Sequence, residues 1–403
     1  FDPTSRIRVD GPIEELLTLS KSHTLILAPT HVSNLDSPLV GYAIYTTGLP
    51  PCIYGAGLNL FNNPAMSFFM GRLGAYTVDR RKKHRLYKDV LKDYSASALS
   101  RGQHSLFYPG GTRMRSGRIE DKVKKGLLGT GITAWQDSIE NGRSPSEVLV
   151  VPCTLSYTLV LEAETLIEDA LEEEGQSRYI ITDDEFSEPL TVATFARKVL
   201  QLDASVHIRL GRALDLVGNP VNADGHSLDP SGEPFDRRRY VTDADGRVRR
   251  DPQRDRVYTQ HLARALVSAW KRDHVVLDTQ LVALAAWQLL VELYPHMDTW
   301  QRVFLSPNQR VLDRPALVSR VRLLHGEVEA AAAEGRLHSG LLSTGPQPEE
   351  EILDRAVDRF GRFHSRHALE PLDGGRAFRV DPRLILYYGN RLAGYGLGEG
   401  EDR

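Results

Sequence analysis

The residues of this chain whose types and spacing best suit acid–base chemistry are His31 and Asp36, in the stretch TLILAPTHVSNLDSP over 24–38. A neutral imidazole takes a proton from an alcohol. A carboxylate on its other nitrogen fixes the tautomer and stabilises the imidazolium that forms. The apolar run Leu25 to Ala28 reads as a buried strand that stops at Pro29. Ser37-Pro38 then offers a helix start, with Ser as the cap and Pro in the first turn. The pair therefore falls where a strand hands over to a helix, the edge at which α/β enzymes place their chemistry. Spacing alone is a weak signal, because His84 and Asp89 repeat it inside KKHRLYKDVLKDY. Five residues apart on a helix is a poor facing distance, so the second copy reads as chance.

Other predicted strand ends add charge. Asp79-Arg80-Arg81 follows a strand at 74–78, and Pro109-Gly110-Gly111-Thr112-Arg113-Met114-Arg115 follows one at 105–108, with Lys122, Lys124 and Lys125 beyond. In a mostly parallel sheet these ends share an edge with His31. Arg80, Arg81, Arg113, Arg115 and one or two lysines would then form a cationic bowl beside a general base. Guanidinium forks grip two oxygens at once, so a phosphate dianion is the natural guest. Gly110 and Gly111 would let backbone N–H groups approach a ligand. Taken singly, each feature has a blander reading: a structural histidine, a solvated arginine pair, a plain Gly-Gly turn. The joint order of the elements at strand ends favours chemistry.

The elements that must position these residues alternate. Strands are predicted at 25–28, 50–54, 74–78, 105–108, 148–156 and 205–210, and helices at 13–19, 38–47, 64–72, 82–99, 127–140, 162–174 and 192–202. The pattern implies an α/β fold: a mixed, mostly parallel sheet flanked by helices. The run at 148–156 is continuous and β-branched, hence central. Residues 218–256 are rich in Asp, Arg, Gly and Pro and read as a polar surface connection or insertion, mobile in part. From 257 the apolar spacing is helical, with a linker at 343–348 and a Gly-rich tail after Gly394 expected to fray. The expected organisation is an α/β domain over 1–217, the polar connection over 218–256, and a helical C-terminal region over 257–403.

Composition narrows the class. The 403 residues are 41% hydrophobic and 26% charged, with a net charge of −3, as in ordinary globular proteins and without a global case for nucleic acid. The cysteines, Cys52 and Cys153, give no disulfide framework and no cysteine-based zinc site, and suit a reducing compartment. The acidic clusters at 224–229 and 243–251 do not have EF-hand form. The longest apolar run, 281–294, is broken by Gln288 and Glu292 and is too short to span a bilayer of about 20 helical residues. No signal peptide is visible, and the chain opens on Phe1 rather than Met, as a fragment or processed product would. An anchor could precede it.

These residues together resemble the glycerolipid acyltransferases, and most closely the glycerol-3-phosphate acyltransferase branch. His31-Val-Ser-Asn-Leu-Asp36 resembles the first of that family's four blocks, and Gly74-Ala-Tyr-Thr-Val-Asp-Arg80-Arg81 the second. Tyr108-Pro-Gly-Gly-Thr-Arg113-Met-Arg115-Ser-Gly117 resembles the third, and Val151-Pro152-Cys-Thr-Leu-Ser-Tyr157, with Glu162 behind it, the fourth. The strand at 207–211, the helices near Leu262 and Leu281, and Leu386-Tyr-Tyr-Gly-Asn-Arg391-Leu extend the likeness over most of the chain. One position departs: the third block's usual Glu is Gly110 here, which implies an altered acceptor, lower activity, or a carboxylate supplied from elsewhere.

The resemblance implies that His31, held by Asp36, takes the proton of the sn-1 hydroxyl of glycerol 3-phosphate. The oxygen then attacks the thioester of acyl-CoA or acyl-carrier protein, giving lysophosphatidate for phospholipid synthesis. It implies a substrate-binding set of Arg80, Arg81, Gly110, Gly111, Thr112, Arg113, Arg115, Lys124 and Pro152. It implies no metal and no cofactor beyond the acyl thioester co-substrate. It places the protein in the cytoplasm, peripheral at the inner face of the membrane. Two alternatives remain: dihydroxyacetone phosphate or lysophosphatidate as acceptor, or a non-catalytic acyl-CoA- or lipid-binding relative, motivated by Gly110.

Overall fold

A computed structural model describes residues 6–61, 67–68, 71–72, 74–79, 81–82, 84–143, 147–175, 205–341 and 347–398. The helix expected at 192–202, the linker at 343–348 for the most part, much of the helix at 64–72, and Arg80 lie outside the described residues.

A seven-stranded sheet forms the centre. Its strands are β1 (Ile7–Asp10), β2 (Thr24–Pro29), β3 (Ile53–Gly57), β4 (Ala75–Val78), β5 (Ser105–Leu106), β6 (Val148–Tyr157) and β7 (Val206–Leu210), in the order β1-β7-β6-β2-β5-β3-β4. From β6 to β4 all neighbours run parallel; β7 lies antiparallel on β6, and β1 pairs parallel with β7. This is the mixed, mostly parallel sheet the sequence implies. Five strands consequently share one C-terminal edge, the edge where β2 delivers His31. Within this sheet, β1 is the strand the sequence pattern does not predict, and short strands at Val311–Asp313, Leu369–Leu372 and Ala377–Val380 form a further antiparallel sheet in the region expected to be helical. Four residues with one half-buried face carry too little pattern, and only pairing with β7, some two hundred positions later, makes IRVD a strand.

Period-two alternation explains the layers. Leu25 and Leu27 of β2 and Leu149, Val151, Cys153 and Leu155 of β6 line one core. Ile26, Ala28, Val148 and Val150 line the other. Helices α1 (Ile13–Ser22), α2 (Asp36–Thr47) and α5 (Ala163–Gly175) cover the first face. Helices α3 (Arg85–Ser100) and α4 (Thr130–Glu140) cover the second. The later helices divide between the same two cores. Helix α6 (Pro252–Arg272) inserts Trp270 into the second, where its indole N–H donates to the Ala28 carbonyl at 2.9 Å. Helices α7 (Asp278–Leu293), α8 (Arg314–Ala333), α9 (Pro348–Phe363) and α10 (Pro382–Gly389) join the first.

Helix α7 is apolar because it is central. Leu281, Val282, Ala283, Ala285, Ala286 and Leu290 are wholly buried in that core. Among the described residues no helix is long and apolar enough to cross a membrane. The tail expected to fray is docked over 394–398: Gln288 donates to the Leu397 carbonyl at 2.9 Å, and the Gly398 N–H donates to Glu327 at 2.5 Å.

The polar stretch after β7 holds a recurrent turn. At Asp215, Asn222, Asp229 and Asp243 the side-chain oxygen accepts the N–H four residues on, and the glycine three residues on has a φ of 100°, 86°, 87° and 75° in turn. The recurring Asx-x-x-Gly pattern builds tight turns with local hydrogen bonds, so this stretch needs few apolar residues to keep its shape.

Candidate active site

His31 sits just beyond β2, and the chain returns within five residues to start α2 at Asp36. The expected Ser37 cap does not form; Ser37 Oγ lies 3.1 Å from the Tyr108 hydroxyl instead. Asp36 opens the helix and turns its carboxylate back onto the loop. Its Oδ2 accepts the Val32 N–H at 2.6 Å, the Ser33 N–H at 3.0 Å and the His31 Nδ1–H at 2.8 Å, and its Oδ1 accepts the Tyr157 hydroxyl at 2.5 Å. Asp36 is fully buried, which a charge tolerates when its lone pairs are used and a helix N-terminus faces it. With Nδ1 carrying the hydrogen toward Asp36, the lone pair belongs to Nε2. The imidazole is 15% exposed and stacks on Tyr108 at 4.3 Å.

The loop after β5 wraps this turn. Met114 N–H donates to the His31 carbonyl at 3.0 Å, and the His31 N–H donates to Glu120 Oε1 at 2.5 Å. Gly111 has φ +82°, and its N–H is taken by the Tyr108 carbonyl at 3.0 Å, so that group closes the loop rather than facing a ligand. Lys124 is exposed and lies over Gly111, where a Cβ would stand 2.4 Å from its Nζ. Arg113 approaches Glu162 at 3.7 Å, and Arg115 approaches Asp169 of α5 at 3.6 Å. Glu162 also accepts the Ser33 hydroxyl and the Asn34 N–H, each at 2.8 Å. Burial pushes its carboxyl pKa up, and those hydrogen bonds and Arg113 oppose the shift. Arg113 is thereby linked through one carboxylate to the loop that carries His31.

The C-terminal region fastens the same loop. Asn390 donates to the Ser116 carbonyl at 2.8 Å. Arg391 donates to the Arg118 carbonyl at 3.1 Å and to the Leu155 carbonyl at 2.9 Å. Gly117 is glycine for two reasons: its φ is +76°, and a Cβ would strike the Tyr387 carbonyl.

The structure gathers the sequence-selected residues unevenly. His31 and Asp36 meet, with Arg113 and Arg115 on the adjoining loop and Thr112 exposed on it. Arg81 does not join them: its side chain is 81% exposed and turns to Asp79 at 3.4 Å. It follows β4, three strands from β2, roughly 14 Å across the sheet at about 4.8 Å per strand. Pro152 is buried within β6, its carbonyl accepting the Gly211 N–H at 2.8 Å. Sequence reading left Tyr108, Glu120, Tyr157, Glu162 and Arg391 out of the binding and catalytic set. Tyr108, Tyr157, Glu162 and Arg391 stood in blocks already marked, but nothing in their spacing says which partner each will hold.

With this geometry in view, residues 11–156 match the family described as Acyltransferase. Among solved structures, the chain is similar to the 1-acyl-sn-glycerophosphate (LPA) acyltransferase PlsC from Thermotoga maritima. The TM-score is 0.32 and the identity 14%, covering 65% of this chain and 70% of that one. The stretch that runs from the start of α1 through nearly all of β6, with the His31–Asp36 pair, is acyltransferase-like in sequence.

Proposed function

We propose that this chain is an O-acyltransferase that moves a fatty acyl group from an acyl thioester to the sn-1 hydroxyl of glycerol 3-phosphate, giving lysophosphatidate. The observation that carries the reading is the His31–Asp36 pair. Asp36 is spent on Nδ1 and three further donors, which leaves Nε2 as the ring position for the substrate's proton. In the proposed reaction Nε2 accepts the hydroxyl proton as the oxygen attacks the thioester carbonyl. The tetrahedral intermediate then expels the thiolate, which leaves with that proton. Asp36 stabilises the imidazolium between the two steps.

The acceptor's phosphate is assigned to Arg113 first. Arg113 is 24% exposed and leans on Glu162, so its guanidinium is held rather than free to swing. Arg115, Lys124 and Arg80 remain assigned to the phosphate by resemblance, whereas Arg81, exposed and turned to Asp79, is left out. Holding the acceptor is the larger share of the proposed rate gain: orientation contributes up to ~7–11 kcal/mol, a positioned base roughly 10²–10⁴-fold. The test is transfer from labelled acyl-CoA to glycerol 3-phosphate, dihydroxyacetone phosphate and lysophosphatidate in parallel. Fastest transfer to glycerol 3-phosphate is expected. Faster transfer to either rival overturns the acceptor, and thermal stabilisation by acyl-CoA without product overturns catalysis.

Membrane contact is assigned to α3. Leu86, Val90 and Tyr94 recur every fourth residue and are 66%, 57% and 48% exposed, an apolar stripe beside Arg85, Lys88 and Lys92. Such a face suits the boundary of an anionic bilayer. The helix adjoins the helical turn Lys125–Leu128 that ends the loop after β5, since a Cβ at Gly126 would meet Lys92 Cε at 3.9 Å.

A further inference from the structure

We propose that Glu120 is a positioning residue for His31, and that position 110 is glycine because the Glu120 side chain fills the space a side chain there would need. The inference rests on reading His31 as the base, and deepens it.

Each part stands on its own observation. The Gly110 backbone does not demand glycine: its φ lies outside the left-handed range that Gly111 and Gly117 occupy. The space around it does. A Cβ on Gly110 would stand 3.0 Å from Glu120 Cγ, 3.3 Å from Oε1 and 3.6 Å from Cδ. At those distances one side chain must yield, and Glu120, 2% exposed, is enclosed. The same Oε1 accepts the His31 N–H at 2.5 Å. Met114 N–H holds the His31 carbonyl at 3.0 Å, so one loop grips both sides of the residue that carries the imidazole. The third block lacks a carboxylate at 110, and one stands directly beside that position instead, reached from ten residues further along the chain.

The chemistry of Glu120 suits holding rather than reacting. Its second oxygen, Oε2, is buried with no hydrogen-bond partner among the described residues. Burial pushes its pKa up against the opposing pull of Arg391 and of the His31 N–H. A carboxyl whose one engaged oxygen accepts a backbone N–H can be replaced in that role by an amide oxygen.

The test is a set of variants: Glu120→Ala, Glu120→Gln, Gly110→Ala and the double variant Gly110→Ala/Glu120→Ala. Each is followed by thermal midpoint without substrate, and by kcat and both KM values. Gly110→Ala alone is expected to lower the midpoint, and the same change in the Glu120→Ala background to cost little, because the obstructing side chain is gone. Glu120→Ala is expected to lower kcat by up to about 100-fold with the donor KM nearly unchanged, as for a misplaced reacting group. Glu120→Gln, which retains an acceptor for the His31 N–H, is expected to recover most of that loss.

Additive midpoints for Gly110→Ala and Glu120→Ala would overturn the shared-space claim. Wild-type kcat in folded Glu120→Ala, or a Glu120→Gln variant as slow as Glu120→Ala, would overturn the positioning claim. If the unsubstituted protein transfers no acyl group, the reading of His31 fails. The His31 amide ¹H shift then decides the Glu120 contact by itself: it moves upfield in Glu120→Ala if the bond exists and stays if it does not.

Discussion

The chain holds two copies of His-x4-Asp, and only one becomes a pair. His31 and Asp36 meet at 2.8 Å around a buried carboxylate. His84 instead caps α3, its Nδ1 accepting the Leu86 N–H at 3.3 Å, while Asp89, 47% exposed, faces Arg85 at 3.6 Å and Lys92 at 3.8 Å. Residue types and spacing are identical; the difference is where the carboxylate falls on its helix. Asp36 is the first residue of α2, so its side chain can fold back over the preceding loop and take that loop's N–H groups. Asp89 sits in the fifth position of α3, where its neighbours are the side chains one turn away. The lesson is that a dyad here comes from a helix start closing on its own loop, backed by a long-range donor, Tyr157.

The contrast can be broken most directly at the histidines. His31→Ala is expected to lower kcat by roughly 10²–10⁴-fold with the fold intact, and His84→Ala to leave it within about twofold, read as initial rates of acyl transfer. Equal effects at the two sites would erase the distinction. Next in size is the cation beside the first copy. Arg113→Ala should raise the acceptor's KM roughly 10- to 100-fold and the donor's little, the loss of one charge-assisted bond. Arg81→Ala, exposed and turned to Asp79, should do less. A uniform rise in both KM values would detach Arg113 from the phosphate.

Smaller effects sharpen the same contrast. Tyr157→Phe removes one donor from a buried carboxylate and should cost about 1.5–3 kcal/mol in denaturant unfolding, with a several-fold drop in kcat. Asp89→Asn, at a surface pair, should cost less than about 1 kcal/mol. The last prediction concerns histidines that serve neither copy. Burial lowers the pKa of His207 and of His364 to about 4 each. Between pH 6.5 and about 4 the unfolded chain binds more protons than the folded one, so stability falls as pH falls through that window. His207→Gln should flatten the fall of the thermal midpoint; an unchanged slope in that variant would remove His207 from the account.

Much of this was legible from local pattern. Apolar runs gave β2 and β6, because strands buried on both faces read as continuous hydrophobic stretches. Glycine and proline placed the loop after β5, and the His31 turn stood out as a strand-to-helix handover. Other features were not legible, for stated reasons. Strand β1 exists through pairing with β7. The Ser37 cap gave way to a carboxylate that found better partners. The grouping of Arg81 with Arg113 assumed that strand ends on one edge lie close, whereas β3 stands between β4 and β5, whose loop carries Arg113.

The sequence by itself determined the alternation of strands and helices, the handover at His31 and the candidate residues. These depend on hydrophobic period, turn chemistry and residue type, all of which act over a few positions. The tertiary structure alone decided that Tyr157 backs the Asp36 carboxylate, that Glu120 stands in the space beside Gly110, and that Arg391 and Asn390 fasten the loop around His31. Those choices join residues tens to hundreds of positions apart. Burial, not spacing, selects among them: a carboxylate, an N–H or a guanidinium removed from water must be matched by whichever partner the packed chain brings within reach.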